Sequence, residues 1–262
     1  MPAGIDSMKK NILLTIEYDG TGFKGWQRQP EVRTVQGELE RVLSFACKEE
    51  ITINGTSRTD AGVHALGQRA TFSMTSGLPV EKLPRVVNNL LCGGMHSQHL
   101  VGDIRIVKAE EVEEDFHARF DCKGKMYRYI VRNTPAADIF RRNYCYQIAE
   151  ALDVEAMQQA AQHIVGVHDF KCFQASGGEE KETTVRTIHS LTVQRNGENV
   201  IIEVAGDGFL YNMVRIITGT LVEVGLGKKQ AEDLAAIIES KDRRNAGHTA
   251  PAEGLYLVEV YY

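Results

Sequence analysis

Two apolar runs, Val185–Gln194 and Val200–Ala205, flank the four residues Arg195-Asn196-Gly197-Glu198. An Asn-Gly pair readily takes the positive φ that a tight hairpin turn needs, so the two runs lie side by side and antiparallel. The chain is thereby committed to a sheet with antiparallel neighbours. A fold built only from parallel strands joined by crossover helices is excluded.

The remaining elements fall around that hairpin. Ile12–Tyr18 reads as a strand with Leu14, Ile16 and Tyr18 on one face. Thr34 is the natural N-cap of a helix with Leu39, Val42, Leu43 and Ala46 on its buried stripe. Strands follow at Ile51–Asn54 and near Gln68–Ser73. Pro79 opens a second helix carrying Leu83, Val86, Val87, Leu90 and Leu91, which Gly93 and Gly94 stop. A strand at Asp103–Lys108 closes the first half. The second half repeats this coarse order. It has strands at Lys125–Arg132 and Asn143–Ile148, and a helix capped by Asp153 and ended by Gly166. A long polar loop, Gln174–Thr184, precedes the hairpin. Helices at Phe209–Val222 and Ala231–Glu239 and a last strand at Leu255–Tyr261 complete the chain. The expected fold is α+β: two similar α/β halves with a mainly antiparallel mixed sheet. The boundary falls near residues 110–120, giving halves at 1–115 and 116–262.

A chain of 262 residues, 43% of them hydrophobic, buries a core without metals or disulfides. The formal net charge of −5 excludes a basic coat over the whole surface but not a local basic cleft. The five cysteines are scattered, with no C-x-x-C spacing, which fits reduced thiols in a cytoplasmic protein. No apolar run reaches the roughly 18–20 residues of a membrane span, so no membrane partner is expected. Met1–Lys10 lacks the apolar centre of a secretory signal and reads as a loose tail.

Gly20-Thr21-Gly22-Phe23-Lys24-Gly25 matches the G-x-G-x-x-G dinucleotide pattern. That mechanism requires a helix to start inside the motif, so that its amides face a pyrophosphate. Here Trp26-Gln27-Arg28-Gln29-Pro30 follows, without a helical stripe. The segment reads as a glycine-rich turn with Trp26 packed over it, and no nucleotide cofactor is expected. Cys92, His96 and His99 lie close together but offer no fourth ligand, while His64 and His117 stand alone. Satisfied or solvated histidines are the better reading, and no metal is expected.

Four segments stand out for their chemistry, the last of them Ala246–Leu255, a loop of small residues entering the last strand. Ser57-Arg58-Thr59-Asp60-Ala61-Gly62-Val63-His64 places a cation and a carboxylate two residues apart among small neighbours. On its own it reads better as an Asx-type turn, in which Asp60 bonds a nearby amide. Phe116–Phe120 and Lys123–Tyr129 interleave aromatics with cations on a strand. That pattern suits base stacking and phosphate contact, and it also suits a half-buried strand. Gly206–Arg215 opens an apolar helix in which Arg215 requires a partner, so a structural ion pair is the plain alternative.

In order along the chain stand Tyr18-Asp19-Gly20-Thr21 with Gly25–Gln29, Arg58–His64, Phe116–Phe120 with Lys125–Tyr129, Gly208–Arg215 and Ala246–Leu255. Together they resemble the tRNA pseudouridine synthase A family over nearly the whole chain. The resemblance implies isomerisation of uridine to pseudouridine in the anticodon stem-loop of tRNA, at positions 38–40. It implies no metal and no organic cofactor. It also implies a homodimer with the active cleft between the two halves of each chain. By their match to the family motifs, Asp60 is the catalytic aspartate and Arg215 the arginine that pairs with it. Arg58 holds the flipped nucleotide, Tyr127 is the active-site tyrosine and Leu255 an apolar pocket residue. Ser57 replaces the usual Gly before Arg-Thr-Asp. Lys171-Cys172-Phe173-Gln174 replaces a Ser-Phe-Arg pattern, so no RNA contact is assigned to Gln174. A non-catalytic RNA-binding module is the rival reading, and a nucleotide-dependent enzyme using the Gly20–Gly25 loop is a weaker one.

Overall fold

The structure is a computed structural model that describes residues 9–93, 101–178 and 182–262. The N-terminal tail up to residue 8, Gly94, His96 and His99 lie outside the described residues. Two compact units emerge: residues 1–122 with Tyr262, and residues 123–261.

The first unit contains β1 (Lys10–Tyr18), α1 (Val35–Cys47), β2 (Asn54–Gly55), β3 (His64–Met74), α2 (Leu83–Leu91) and β4 (Ile104–Val112). Its strands run β4-β1-β3-β2, every pairing antiparallel. Ile12, Leu14 and Ile16 are fully buried, at the two-residue spacing that places them on one face. Val35, Leu39, Val42 and Leu43 of α1 and Leu83 and Val87 of α2 complete the core. Thr34 caps α1 as expected, accepting from Gly37 N at 3.2 Å. A side chain also ties α2 to the edge strand. The Asn88 amide donates to Ile106 O at 2.9 Å and accepts from Ile106 N at 2.8 Å, replacing the missing ladder partner.

The second unit contains β5 (Gly124–Asn133), β6 (Tyr146–Ile148), α3 (Val154–Gln162), β7 (Gly166–Asp169), β8 (Val185–Asn196), β9 (Asn199–Gly206), α4 (Met213–Gly225), α5 (Asp233–Ser240) and β10 (Leu255–Tyr261). The order is β10-β5-β9-β8-β7, antiparallel throughout, with β6 added parallel to β5. The hairpin turns tightly at Gly197, whose φ is 57°, between the paired Asn196 and Asn199. Helix α4 is apolar on nearly every side, as a central helix must be: Met213, Val214, Ile216, Ile217, Leu221, Val222 and Val224 are all buried.

The mainly antiparallel α+β reading stands, with corrections at particular elements. Helix α4 begins at Met213 rather than Phe209, because Asn212 takes a left-handed φ of 59° and breaks the run into it. Helix α3 ends at Gln162 with His163 as its C-cap rather than at Gly166, which instead starts β7, a four-residue strand too short to announce itself by alternation. Among the described residues no helix is long and apolar enough to cross a membrane.

Candidate active site

The Asp60 loop joins β2 to β3 and is gripped by backbone bonds and by two buried side chains. Trp26 N donates to Thr59 O at 3.0 Å, and Val63 N donates to Asp60 O at 3.1 Å. The buried Thr59 hydroxyl meets Tyr18 Oη at 2.7 Å. Gln68, fully buried, donates to Ser57 O at 2.7 Å and accepts from Ser57 N at 3.2 Å. The glycine-rich turn is the other jaw. A Cβ on Gly20 would stand 2.1 Å from Val63 O, and one on Gly25, whose φ is 89°, 2.8 Å from Thr59 O. These glycines therefore serve the close approach of one loop to another. No helix starts within them: a single 3-10 turn spans Gly20–Gly22, and α1 begins only at Val35. The pyrophosphate-cradling geometry is absent from this segment. Trp26 is buried against Tyr18, with ring centroids 6.1 Å apart, as the turn reading expects. Asp60 emerges half-buried from this clamp, with Arg58 exposed two residues before it. His64 is a satisfied core histidine whose Nδ1 accepts from Gly20 N at 3.0 Å.

Tyr127, Arg215 and Leu255 all lie in the second unit. Tyr127 is buried on β5 and meets Phe209 edge to face, with ring centroids 5.1 Å apart. Leu255 opens β10 opposite Tyr129, so Tyr127 and Leu255 sit on neighbouring strands. Arg215 is half-buried on α4. Its Nε donates to Ala250 O at 2.8 Å and its Nη1 to Asn212 Oδ1 at 2.8 Å, while Ala250 N donates back to Arg215 O at 3.0 Å. Two neutral oxygens thus fix the direction of the guanidinium.

The 246–250 segment is itself latched to α4. Gly247 N donates to Thr220 Oγ1 at 2.8 Å, and His248 N donates to Glu223 Oε1 at 2.9 Å. The His248 ring adds Nδ1 to Glu223 Oε1 at 3.1 Å and Nε2 to Tyr146 Oη at 3.3 Å. Burial pushes the Glu223 carboxyl up, but the His248 donors and nearby Lys229 outweigh it and hold the group below the usual range. Burial raises the Tyr129 phenol, which donates to Pro251 O at 2.7 Å. Sequence reasoning missed Glu223, and it quoted Tyr129 and Ala250 within motifs without their hydrogen bonds. Asn212 was quoted within a motif, but nothing in one dimension marks it as the arginine's acceptor.

Phe116–Phe120 is a turn rather than a strand. His117 Nδ1 accepts from Arg119 N at 3.1 Å and Phe120 N at 3.3 Å, and Asp121 accepts from His117 N at 2.7 Å. These local acceptors offer the backbone an alternative to a ladder. The turn belongs to the first unit. Ala118 O accepts from Tyr262 Oη at 2.9 Å, and that hydroxyl also lies 2.9 Å from Thr56 Oγ1. Burial lifts the Tyr262 phenol to about 12. On β5 the cations are partly spent: Arg128 pairs with Glu203 at 2.7 Å, and in the first unit Arg28 pairs with Glu40 at 3.0 Å.

Comparison with known proteins follows the same residues. The tRNA pseudouridine synthase family profile matches residues 14–121 and 160–262. A protein of Acetivibrio thermocellus named tRNA pseudouridine synthase A is 48% identical over 253 residues, 97% of this chain and 100% of that one. The tRNA pseudouridine synthase A 2 of Clostridium tetani is 46% identical over 257 residues, with the same two coverages. A tRNA pseudouridine synthase A of Brevibacillus brevis is 47% identical over 253 residues, again covering 97% and 100%. At that identity across its full length, this chain belongs to the tRNA pseudouridine synthase family.

Proposed function

We propose that this chain isomerises uridine to pseudouridine in the anticodon stem-loop of tRNA, with Asp60 as the catalytic carboxylate. The N1–C1′ glycosidic bond breaks, the uracil turns, and a C5–C1′ bond forms. The C5 proton leaves and N1 ends protonated, so nothing is consumed. The observation that carries the assignment is the backbone clamp on the 57–63 loop, which fixes where the Asp60 side chain starts. A carboxylate doing bond-making chemistry needs that pre-organisation, and a surface turn does not.

In this reading Arg215 pairs with Asp60 and keeps it ionised. The two neutral acceptors on its Nε and Nη1 aim it, which a lysine would not reproduce. Tyr127 lies against the uracil, and Leu255 excludes water from the reacting sugar. Arg58, exposed beside Asp60, fills the space the flipped base vacates. The working form is a cytoplasmic homodimer that uses no cofactor. The names of the relatives and the match of residues 14–121 and 160–262 to the family support this reading.

The test uses tRNA carrying tritium at uridine C5. The wild-type chain releases tritium. Asp60→Asn keeps its melting temperature and binds tRNA within two-fold of wild type but releases none. A folded Asn variant with near-native release would refute the role of Asp60. RNA binding by a wild-type chain that releases no tritium would leave the non-catalytic module standing.

A further inference from the structure

The first unit carries an open cleft of roughly 340 Å³, near the lower end of the range for small-ligand sites. Gln27, Asn54, Arg58, His117, Arg119 and Phe120 face it. The set mixes three chemistries. Phe120 is 76% exposed, a high value for an aromatic, and its ring already lies over His117 at 4.3 Å, tilted by 34°. The turn below is held by His117 Nδ1, which accepts from the Phe120 amide at 3.3 Å. Arg119 Cζ lies 6.0 Å from the Phe120 centroid, and Arg58 also lines the cleft. Opposite them, the Asn54 amide is exposed and makes no side-chain hydrogen bond among the described residues. Gln27 donates to Gln36 Oε1 at 3.0 Å, which orients its own amide and leaves its oxygen to accept.

We infer that this cleft binds one unpaired nucleotide of the substrate RNA, separate from the uridine that reacts. The base stacks on Phe120, its edge meets the Asn54 and Gln27 amides, and its phosphate meets Arg119. An exposed flat ring, open amides and a cation are the three groups an unstacked nucleotide uses. Because stacking leads and the amides both donate and accept, the site tolerates several bases and contributes affinity more than sequence choice. The inference rests on the synthase reading for its choice of RNA.

The test is a binding cycle on the full chain with an anticodon stem-loop RNA. Each unpaired loop nucleotide is replaced in turn by an abasic residue. Kd is measured for wild type, Phe120→Ala and Asn54→Ala at one salt concentration. Phe120→Ala is expected to weaken binding by roughly ten-fold. One abasic position should cost wild type a similar factor and cost Phe120→Ala nothing more, since both remove the same contact. Asn54→Ala, on an exposed side chain, should weaken the same RNA by several-fold and repeats the test should Phe120→Ala misfold. Wild-type Kd values for both variants, or abasic penalties unchanged in Phe120→Ala, would overturn the proposal. Tritium release by the wild type, run alongside, reports on the synthase reading by itself. Release with no coupling in the cycle rejects only the cleft, and coupling without release rejects only the synthase.

Discussion

Gly25→Ala separates what the glycine-rich turn does for stability from what it does for the Asp60 loop. An alanine at φ 89° costs about 1–2 kcal/mol in backbone strain. Its Cβ would stand 2.8 Å from Thr59 O, whereas ordinary Cβ contacts begin at 3.4 Å, so the loop must yield by about 0.6 Å. Thr59 O also accepts from Trp26 N at 3.0 Å, and stretching that bond costs up to about 1 kcal/mol more. The sum, about 1–3 kcal/mol, lowers the melting temperature of a chain this size by roughly 2–12 °C. The effect on chemistry is larger in proportion. A 1 Å misplacement of a reacting group costs on the order of 100-fold, so about 0.6 Å at the Thr59 carbonyl, whose carbon bonds the Asp60 amide, should lower kcat about ten-fold or more. Tritium release is measured well below both melting temperatures, with tRNA binding followed in parallel. Gly22→Ala is the control in the same motif, since its Cβ meets only side-chain ends in ordinary contact, Arg33 Nη1 at 3.4 Å and Asp103 Oδ2 at 3.8 Å, and should change neither quantity. Native kcat in a destabilised Gly25→Ala protein would refute the view that the turn positions the carboxylate.

Ser57 Oγ is buried without a hydrogen-bond partner among the described residues, so Ser57→Ala should raise stability by up to about 1 kcal/mol in denaturant titrations; a clear loss would mean the hydroxyl has a partner. The Glu223 carboxyl is held below its ordinary range, so its contribution to folding is present above that range and disappears as pH falls through the depressed folded value. The stability gap between wild type and Glu223→Gln, measured by denaturant unfolding, should therefore be widest near neutrality and narrow below about pH 4; a gap constant with pH counts against the His248–Glu223 latch. Burial lifts the Cys172 thiol to about 12 and raises Cys47 and Cys145 as well, whereas Cys92 and Cys122 are half-buried. A thiol reagent should label those last two quickly and reach the other three only in denaturant, and rapid native labelling of Cys172 would contradict its packing.

What could be read in one dimension was local. The Asn-Gly hairpin, the Thr34 and Asp153 caps and the buried alternation of Tyr127, Tyr129 and Val131 are each decided within a few residues. What could not be read depends on partners far apart in the chain. The purpose of Gly20 and Gly25 becomes visible only when a loop some forty residues later lies against them at 2.1 and 2.8 Å. Arg215 called for a carboxylate on charge grounds, yet the acceptors that orient it within its own unit are Ala250 O and the Asn212 side chain. A backbone carbonyl carries no sequence signature at all. The Phe116–Phe120 turn defeated a pattern reading for a different reason. His117 and Asp121 capture backbone amides that alternation alone would assign to a strand.

Tyr262 has a consequence for how the molecule is made. Its hydroxyl completes contacts with Thr56 and Ala118 that span 206 and 144 residues of chain. During synthesis the first unit therefore emerges from the ribosome lacking a piece of its own interior, and must wait while the whole second unit is translated. Contacts of such range slow the final step of folding. Until the phenol arrives, the slot beside Phe116 and Arg69 stays open to water, so an early nascent form of this unit should be looser and more easily cut by protease than the finished one.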